Sequence, residues 1–302
     1  MVPCSASTGE EARRTTTVPR ELIERAARDF SGDAHALVTA ALERLDDYQD
    51  AGYARDFLAR LEPFREIERQ CGDGSGRLLA ETARQLALAM AYEDTIRVAD
   101  LKIRSSRFAR VREEAQIGDG QILEIAEFFH PRRQEIADTL PAPLGRWLMR
   151  TPWASAIVDH ATRKGRIVKT TSIRGFLLLY ALSRLKPLRR RSLRFANEQA
   201  ALAGWLGLVV ETARDDYALA LQVARMRGLV KGYGDTHERG RMKFEKLAEL
   251  VPRLRGQADA AARLDGLIKA ALADEAGEAL DKAIADLEPA RGPAAAVARA
   301  AS

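Results

Sequence analysis

Apolar residues recur every three or four positions along most of the chain, the spacing of one helix face rather than the alternation of a strand. A first helical stretch opens after Pro19. Ser31 and Asp33 offer caps for a second, in which Leu37, Ala40, Ala41 and Leu45 share a face. Tyr53, Phe57, Leu58 and Leu61 carry the pattern to Pro63, where a helix is expected to stop, and the loop Cys71-Gly-Asp-Gly-Ser-Gly76 breaks it. A long helix is predicted from about Arg77 to Glu114, closed by Gly118-Asp119-Gly120. Ile122 to Phe129 is ambiguous, a short strand being one reading. His130-Pro131 and Leu140-Pro-Ala-Pro143 punctuate the middle. Further helices are predicted near 144–162, 172–186, 194–213, 215–228 and 236–255, then an Ala-rich amphipathic helix or hairpin over 257–287. The expected fold is therefore all-α, a multi-helix bundle with one long central helix and at most a short strand segment. The expected organisation is a disordered tail at 1–18, a helical domain at 19–255, the Ala-rich element at 256–287 and a frayed tail at 288–302.

The 77–114 stretch carries an unusual polar pattern. At about 100° per residue, Glu93, Arg97, Asp100, Arg104 and Arg107 form one narrow charged stripe. Tyr92, Ile96, Ala99 and Ile103 flank it on one side, and Val98, Leu101 and Phe108 on the other. One reading is a solvated ladder in which Glu93–Arg97 and Asp100–Arg104 pair at i,i+4, each pair contributing about 0.3–0.5 kcal/mol. The other is a partly buried polar network that registers this helix against a neighbour or a partner subunit.

Composition narrows the class. A chain of 302 residues can bury a substantial core, and its abundant Ala and Leu suit helices. Two cysteines, Cys4 and Cys71, supply neither a disulfide framework nor the four thiolates of an iron–sulfur cluster, which fits a reducing cytoplasm. The polar start has no secretory core, and the longest apolar run, Phe176 to Leu182, is far short of the roughly 20 residues that span a bilayer. A soluble, cytoplasmic protein without a membrane role is expected. Net charge is +5, yet no Asp or Glu lies between Asp159 and Glu198. That interval holds Arg163, Lys164, Arg166, Lys169, Arg174, Arg184, Lys186, Arg189, Arg190, Arg191 and Arg194, a basic face suited to an acidic partner or a phosphate-bearing ligand. Nucleic acid is disfavoured because stacking aromatics are scarce there.

The scattered histidines His35, His130, His160 and His237 show no metal-ligand spacing, so no metal site is predicted. There is no Gly-x-Ser-x-Gly elbow and no dinucleotide fingerprint. The segment LVKGYGDTHERG, Leu229 to Gly240, concentrates ionisable groups between two helices. Asp235 stands three residues before Glu238, the spacing of a capping box, and Gly232 and Gly234 suit the positive φ of a tight turn. On a structural reading Lys231 and His237 are surface residues of that turn. On a functional one the free amides with Lys231, Arg239 and Arg241 form an anion site, with His237 as a proton donor.

Leu229–Gly240 and a second segment, YEDTIRVADLKIRSSRFARVREE at Tyr92–Glu114, resemble the helical C-terminal region of the beta subunit of indolepyruvate:ferredoxin oxidoreductase. The likeness extends over about residues 40–250, with further matches at Tyr48-Gln49-Asp50 with Tyr53, Glu127–Arg132, Leu140–Trp147 and Gly175–Leu182. It implies membership of a complex that oxidatively decarboxylates aryl pyruvates to arylacetyl-CoA. Thiamine diphosphate, magnesium and iron–sulfur clusters are then expected on a partner subunit. Both Gly-Asp-Gly runs, 72–74 and 118–120, lack the later Asn of a thiamine diphosphate site; the only Asn is Asn197. The gamma-type domain that accompanies this region in the family is not in the sequence. The resemblance thus implies an accessory, non-catalytic module with Lys231, Tyr233, Asp235, His237 and Arg239 as candidate site. The 93–107 ladder would organise that site. The basic face, Arg163, Lys164, Arg166, Lys169, Arg174, Arg189, Arg190 and Arg191, would dock the catalytic subunit or the nucleotide part of coenzyme A. The alternative is a free-standing helical adaptor that binds a polyanion or nucleic acid through its basic face.

Overall fold

In a computed structural model of the chain, residues 18–287 are described except Asp73, Ile117, Asp119, Gly120, Ile122, His130 and the side chains of Asp33 and Arg166. All but Val18 of the expected first tail, and the whole of 288–302, lie outside the described residues. So does His130. The fold is all-α apart from one small two-stranded sheet.

The first half comprises α1 (Arg20–Asp29), α2 (Gly32–Tyr48), α3 (Ala51–Cys71), α4 (Arg77–Met90), α5 (Thr95–Ile103), α6 (Ser105–Glu114), β1 (Ala126–Phe129), α7 (Arg133–Thr139) and α8 (Ala142–Arg150). The second comprises α9 (Pro152–Thr162), β2 (Arg166–Lys169), α10 (Ile173–Ser183), α11 (Leu193–Ala213), α12 (Tyr217–Met226), α13 (Asp235–Leu254), α14 (Ala260–Ala273) and α15 (Glu278–Leu287). Short 3-10 turns cover Lys186–Arg191 and Arg227–Leu229. Among the described residues no helix is long and apolar enough to cross a membrane.

Three predicted boundaries need correction. Pro63 does not end α3, which runs on to Cys71. Phe57, Leu58, Leu61, Phe64 and Ile67 keep the helical spacing across it and are all buried, and that burial offsets a proline cost of about 3 kcal/mol. The long helix 77–114 is three helices. Asp94, in extended conformation, caps α5 by accepting from the Arg97 N–H at 2.6 Å, and Arg104 is extended between α5 and α6. Residues 144–162 likewise form two helices, because Pro152 opens α9 at its first turn, a position that needs no N–H.

The strand reading of 122–129 is realised over Ala126–Phe129. Its partner β2 pairs antiparallel, with Ala126 opposite Lys169 and Phe129 opposite Arg166. The Ala-rich stretch is a hairpin. The Asp274 carboxylate accepts from the amides of Gly277, Glu278 and Ala279 and so caps α15.

The chain divides into two compact units. Unit 1 takes the described residues of Met1–Ala27, Thr39–Asp56 and Leu88–Leu202. Leu42, Leu45, Tyr48, Tyr53, Met90, Ile96 and Leu179 lie in its interior. A satellite cluster of Ala137, Leu148, Ala154 and Leu193 holds α7, α8 and α9 to the start of α11. Unit 2 takes those of Arg28–Val38, Phe57–Ala87 and Ala203–Ser302. Phe57, Phe64, Leu86, Trp205, Val223, Leu247 and Leu264 lie in its interior, and the Trp205 indole N–H donates to the Val223 carbonyl at 3.1 Å.

Candidate functional site

The charged ladder is an internal network rather than a solvated stripe. Asp47, at the C-terminal end of α2, accepts from Arg97 at 2.6 Å and from Arg104 at 2.8 Å, and Asp100 accepts from both guanidinium groups. Burial alone would raise the Asp47 pKa. The hydrogen bonds from Arg97 and Arg104 outweigh it and hold the carboxyl below its ordinary value. Lys186 donates to the Asp47 carbonyl at 2.9 Å, and burial depresses its pKa. Farther along the stripe, Arg107 and Lys102 converge on Glu127 of β1. Glu93 accepts through its carbonyl from Arg194 at 3.3 Å. Arg97 thus engages Asp47 and Asp100, which ties α5 to α2.

Beside this network stands a fully buried ion pair. Arg189, 3% exposed, donates two hydrogen bonds to Asp94, at 2.7 and 2.9 Å. It also donates to the Tyr48 carbonyl and the Gln49 side chain, and lies 4.2 Å over the Tyr48 ring. Burial opposes its charge, but Asp94 prevails and the pKa rises. Arg189 therefore does not belong to a docking face; one buried carboxylate and three further acceptors or rings fill its surroundings. Arg194 is held by Glu198 at 2.6 Å and covers Tyr92. Asp47, Tyr48, Gln49 and Asp94 escaped the sequence reading as network members. For Asp94 the signal was present, a cap-type residue just before an apolar run; for Asp47 it was not.

The rest of the basic face divides. Arg190 pairs with Asp56 beside Tyr53, and Lys169 with Glu124 at 2.5 Å. The Arg166 side chain lies outside the described residues. Arg163, Lys164, Arg174 and Arg191 are exposed, and no ion pair with a carboxylate of the described residues engages them.

The same interval displays large apolar side chains. Ile173 is 80% exposed and Leu177 56%, with Phe176 and Tyr180 stacked beside them at 6.4 Å. The opposite side of α10 is packed, Gly175 and Leu179 being buried where the helix meets α5. On α8 and α9, Trp147 and Trp153 meet edge to face at 5.7 Å with both rings exposed, and Ile157 is exposed as well.

Leu229–Gly240 lies in unit 2, whereas the ladder lies in unit 1. Gly232 and Gly234 have positive φ, as expected of the turn. The cap differs from expectation. α13 starts at Asp235 itself, with Gly234 as N-cap, so Asp235 and Glu238 occupy the first turn. There their charges favour the helix dipole rather than close a capping box. Lys231, Tyr233 and Asp235 are exposed, and His237 and Arg239 half-buried. Arg239 reaches Glu275 at 3.1 Å, and Arg241 pairs with Glu238 and Glu245. Two of the three cations of the anion-site reading thus face carboxylates of the chain itself. Gly240 has a packing role that sequence reasoning missed: it is buried, and a Cβ there would overlap the Leu229 carbonyl oxygen.

Comparison with known proteins adds one match. Residues 34–250, from α2 into α13, fit the model of a family of unknown function, DUF6537. No curated protein and no solved structure matches the chain.

Proposed function

The chain belongs to this family of unknown function, and we propose that it serves as an accessory, non-catalytic interface module of an indolepyruvate:ferredoxin oxidoreductase-type complex in the cytoplasm. The observation that carries the interface role is α10, apolar on all sides but packed on only one. A helix with that composition is normally enclosed, so its outer face calls for a partner. The attachment to this complex rests on the sequence resemblance. Its matches at Leu140–Trp147 and Gly175–Leu182 fall on α8 and α10, where apolar side chains are displayed. Its match at Tyr92–Glu114 supplies the α5 network beneath α10. In this reading the charged ladder is scaffold, and the partner subunit contributes thiamine diphosphate, magnesium and the iron–sulfur clusters.

A polyanion adaptor is the second reading, favoured by the exposed Arg163, Lys164, Arg174 and Arg191. An anaerobic pull-down of the tagged chain from its native cytoplasm separates the two. The oxidoreductase role requires recovery of a large thiamine diphosphate, iron–sulfur subunit by the wild type and its loss with Ile173→Glu/Leu177→Glu. Recovery of nucleic acid without that subunit would overturn it.

A further inference from the structure

The outer face of α10 has a definite layout. Ile173, Leu177, Tyr180 and the C-capping Arg184 follow at intervals of four, three and four, which places them on one side of the helix. They form a ridge about 16 Å long. Phe176 stacks along one flank, and the Arg184 guanidinium lies 5.8 Å over the Tyr180 ring. Carboxylates of the surrounding sequence are already engaged. Glu124 pairs with Lys169, Glu127 with Lys102 and Arg107, and Asp159 with Arg133. Among the described residues no carboxylate pairs with Arg163, Lys164, Arg174 or Arg184. Arg174 near the start of α10 and Arg184 at its C-cap therefore give the apolar ridge positive charge near its two ends.

From this arrangement we infer that the occupant of the α10 face is an amphipathic helix of a partner protein, with an apolar stripe flanked by Asp or Glu. The inference rests on the reading of α10 as a docking face and adds the chemistry of what docks. Two helices packing ridge into groove bury the stripe. Carboxylates on its flanks meet the unpaired guanidinium groups of Arg174 and Arg184 in partly desolvated, charge-assisted hydrogen bonds. A second copy of this chain fits poorly, because a two-fold interface would bring the same cationic border onto itself. An anionic bilayer fits less well than a peptide, because α10 carries a single cation along its eleven residues rather than a basic polar face.

The test uses the full chain and two fluorescein-labelled helical peptides. Both have a Leu stripe at i, i+3, i+4 and i+7; one has Glu and the other Lys on the flanks. Anisotropy titrations at 50 and 300 mM NaCl should show the Glu peptide binding at least tenfold tighter than the Lys peptide, with the gap narrowing at high salt. Arg174→Ala/Arg184→Ala should erase that preference, and Leu177→Glu should abolish binding of both peptides. Each variant's melting temperature serves as a folding control, and Leu177→Lys is the second variant should Leu177→Glu melt early. Equal affinities, no binding of either peptide, or binding untouched by the substitutions would each overturn the inference. So would capture by phosphatidylserine vesicles in place of the peptide, or a dimer in sedimentation that Leu177→Glu dissolves. If capture of the oxidoreductase subunit still depends on Leu177 while the peptides are not distinguished, the docking reading stands and the acidic helix falls.

Discussion

At the scale of single residues, the chain's unusual positions are explained by what surrounds them. Arg189 sits in a run of three arginines that reads as exposed positive charge, yet it is the most enclosed cation of unit 1 described here, because Asp94, Tyr48 and Gln49 satisfy it. Arg189→Met should destabilise by about 3–5 kcal/mol, the cost of leaving a buried carboxylate unpaired. Asp94→Asn keeps a competent N-cap while removing the charge. The double variant should therefore be more stable than Arg189→Met alone in urea denaturation, and strictly additive losses would refute the coupling. Gly240 makes a different point. Its glycine is dictated by the Leu229 carbonyl that crosses it, so Gly240→Ala should lower stability by about 1–3 kcal/mol despite Ala's better helix propensity. A raised melting temperature would show that the crossing relaxes freely.

At the scale of elements, periodicity was a good guide to where helices lie and a poor one to where they stop. The stripes of α2, α11, α12 and α13 were legible because each buries apolar residues at helical spacing. The break at Arg104 was not, because arginine suits a helix interior and this one is drawn out of it by a contact from a distant part of the chain; at Asp94 the cap-type residue was a signal, masked by the helical apolar spacing that continues on both sides of it. Asp94 is claimed by Arg189, ninety-five positions away, and Arg104 by Asp47, fifty-seven away. The candidate site was legible in the same uneven way. The ladder's charges could be seen, but its organising acceptor, Asp47, sits on another helix with nothing local to mark it. The α14–α15 hairpin shows a stop made by chemistry close at hand. Asp274→Ala removes the acceptor for three amides at the start of α15 and should loosen that end of the helix. Hydrogen exchange should then speed up in α15 before the rest of unit 2. Unchanged protection at Gly277–Ala279 would mean that the cap contributes little.

At the scale of the whole molecule, carboxylates of opposite tendency set how stability follows pH. Asp47 and Asp274 are held below their ordinary value of 3.8, Asp47 by Arg97 and Arg104 against the effect of burial and Asp274 by backbone amides. Their folded pKa lies below the unfolded one, so their contribution is complete above about pH 4 and is lost as pH falls through the folded value. Glu198 and Asp138 behave oppositely. Burial is the main cause of their raised pKa, against the pull of Arg194 on Glu198 and of Gln134 on Asp138. The folded state binds their protons more tightly than the unfolded chain does, so stability declines as pH rises above the ordinary values of 4.5 and 3.8. The two sets give a loss of stability as pH falls below about 4 and a decline as it rises above the ordinary values of Glu198 and Asp138. Melting temperatures from pH 2 to 8 should trace that shape. Asp47→Asn should flatten the acid limb, and Glu198→Gln the one above it, because each removes a group that titrates differently in the two states. A Glu198→Gln profile that keeps the wild-type slope above pH 4.5 would show that this carboxyl titrates alike in both states, and the burial argument for it would fail.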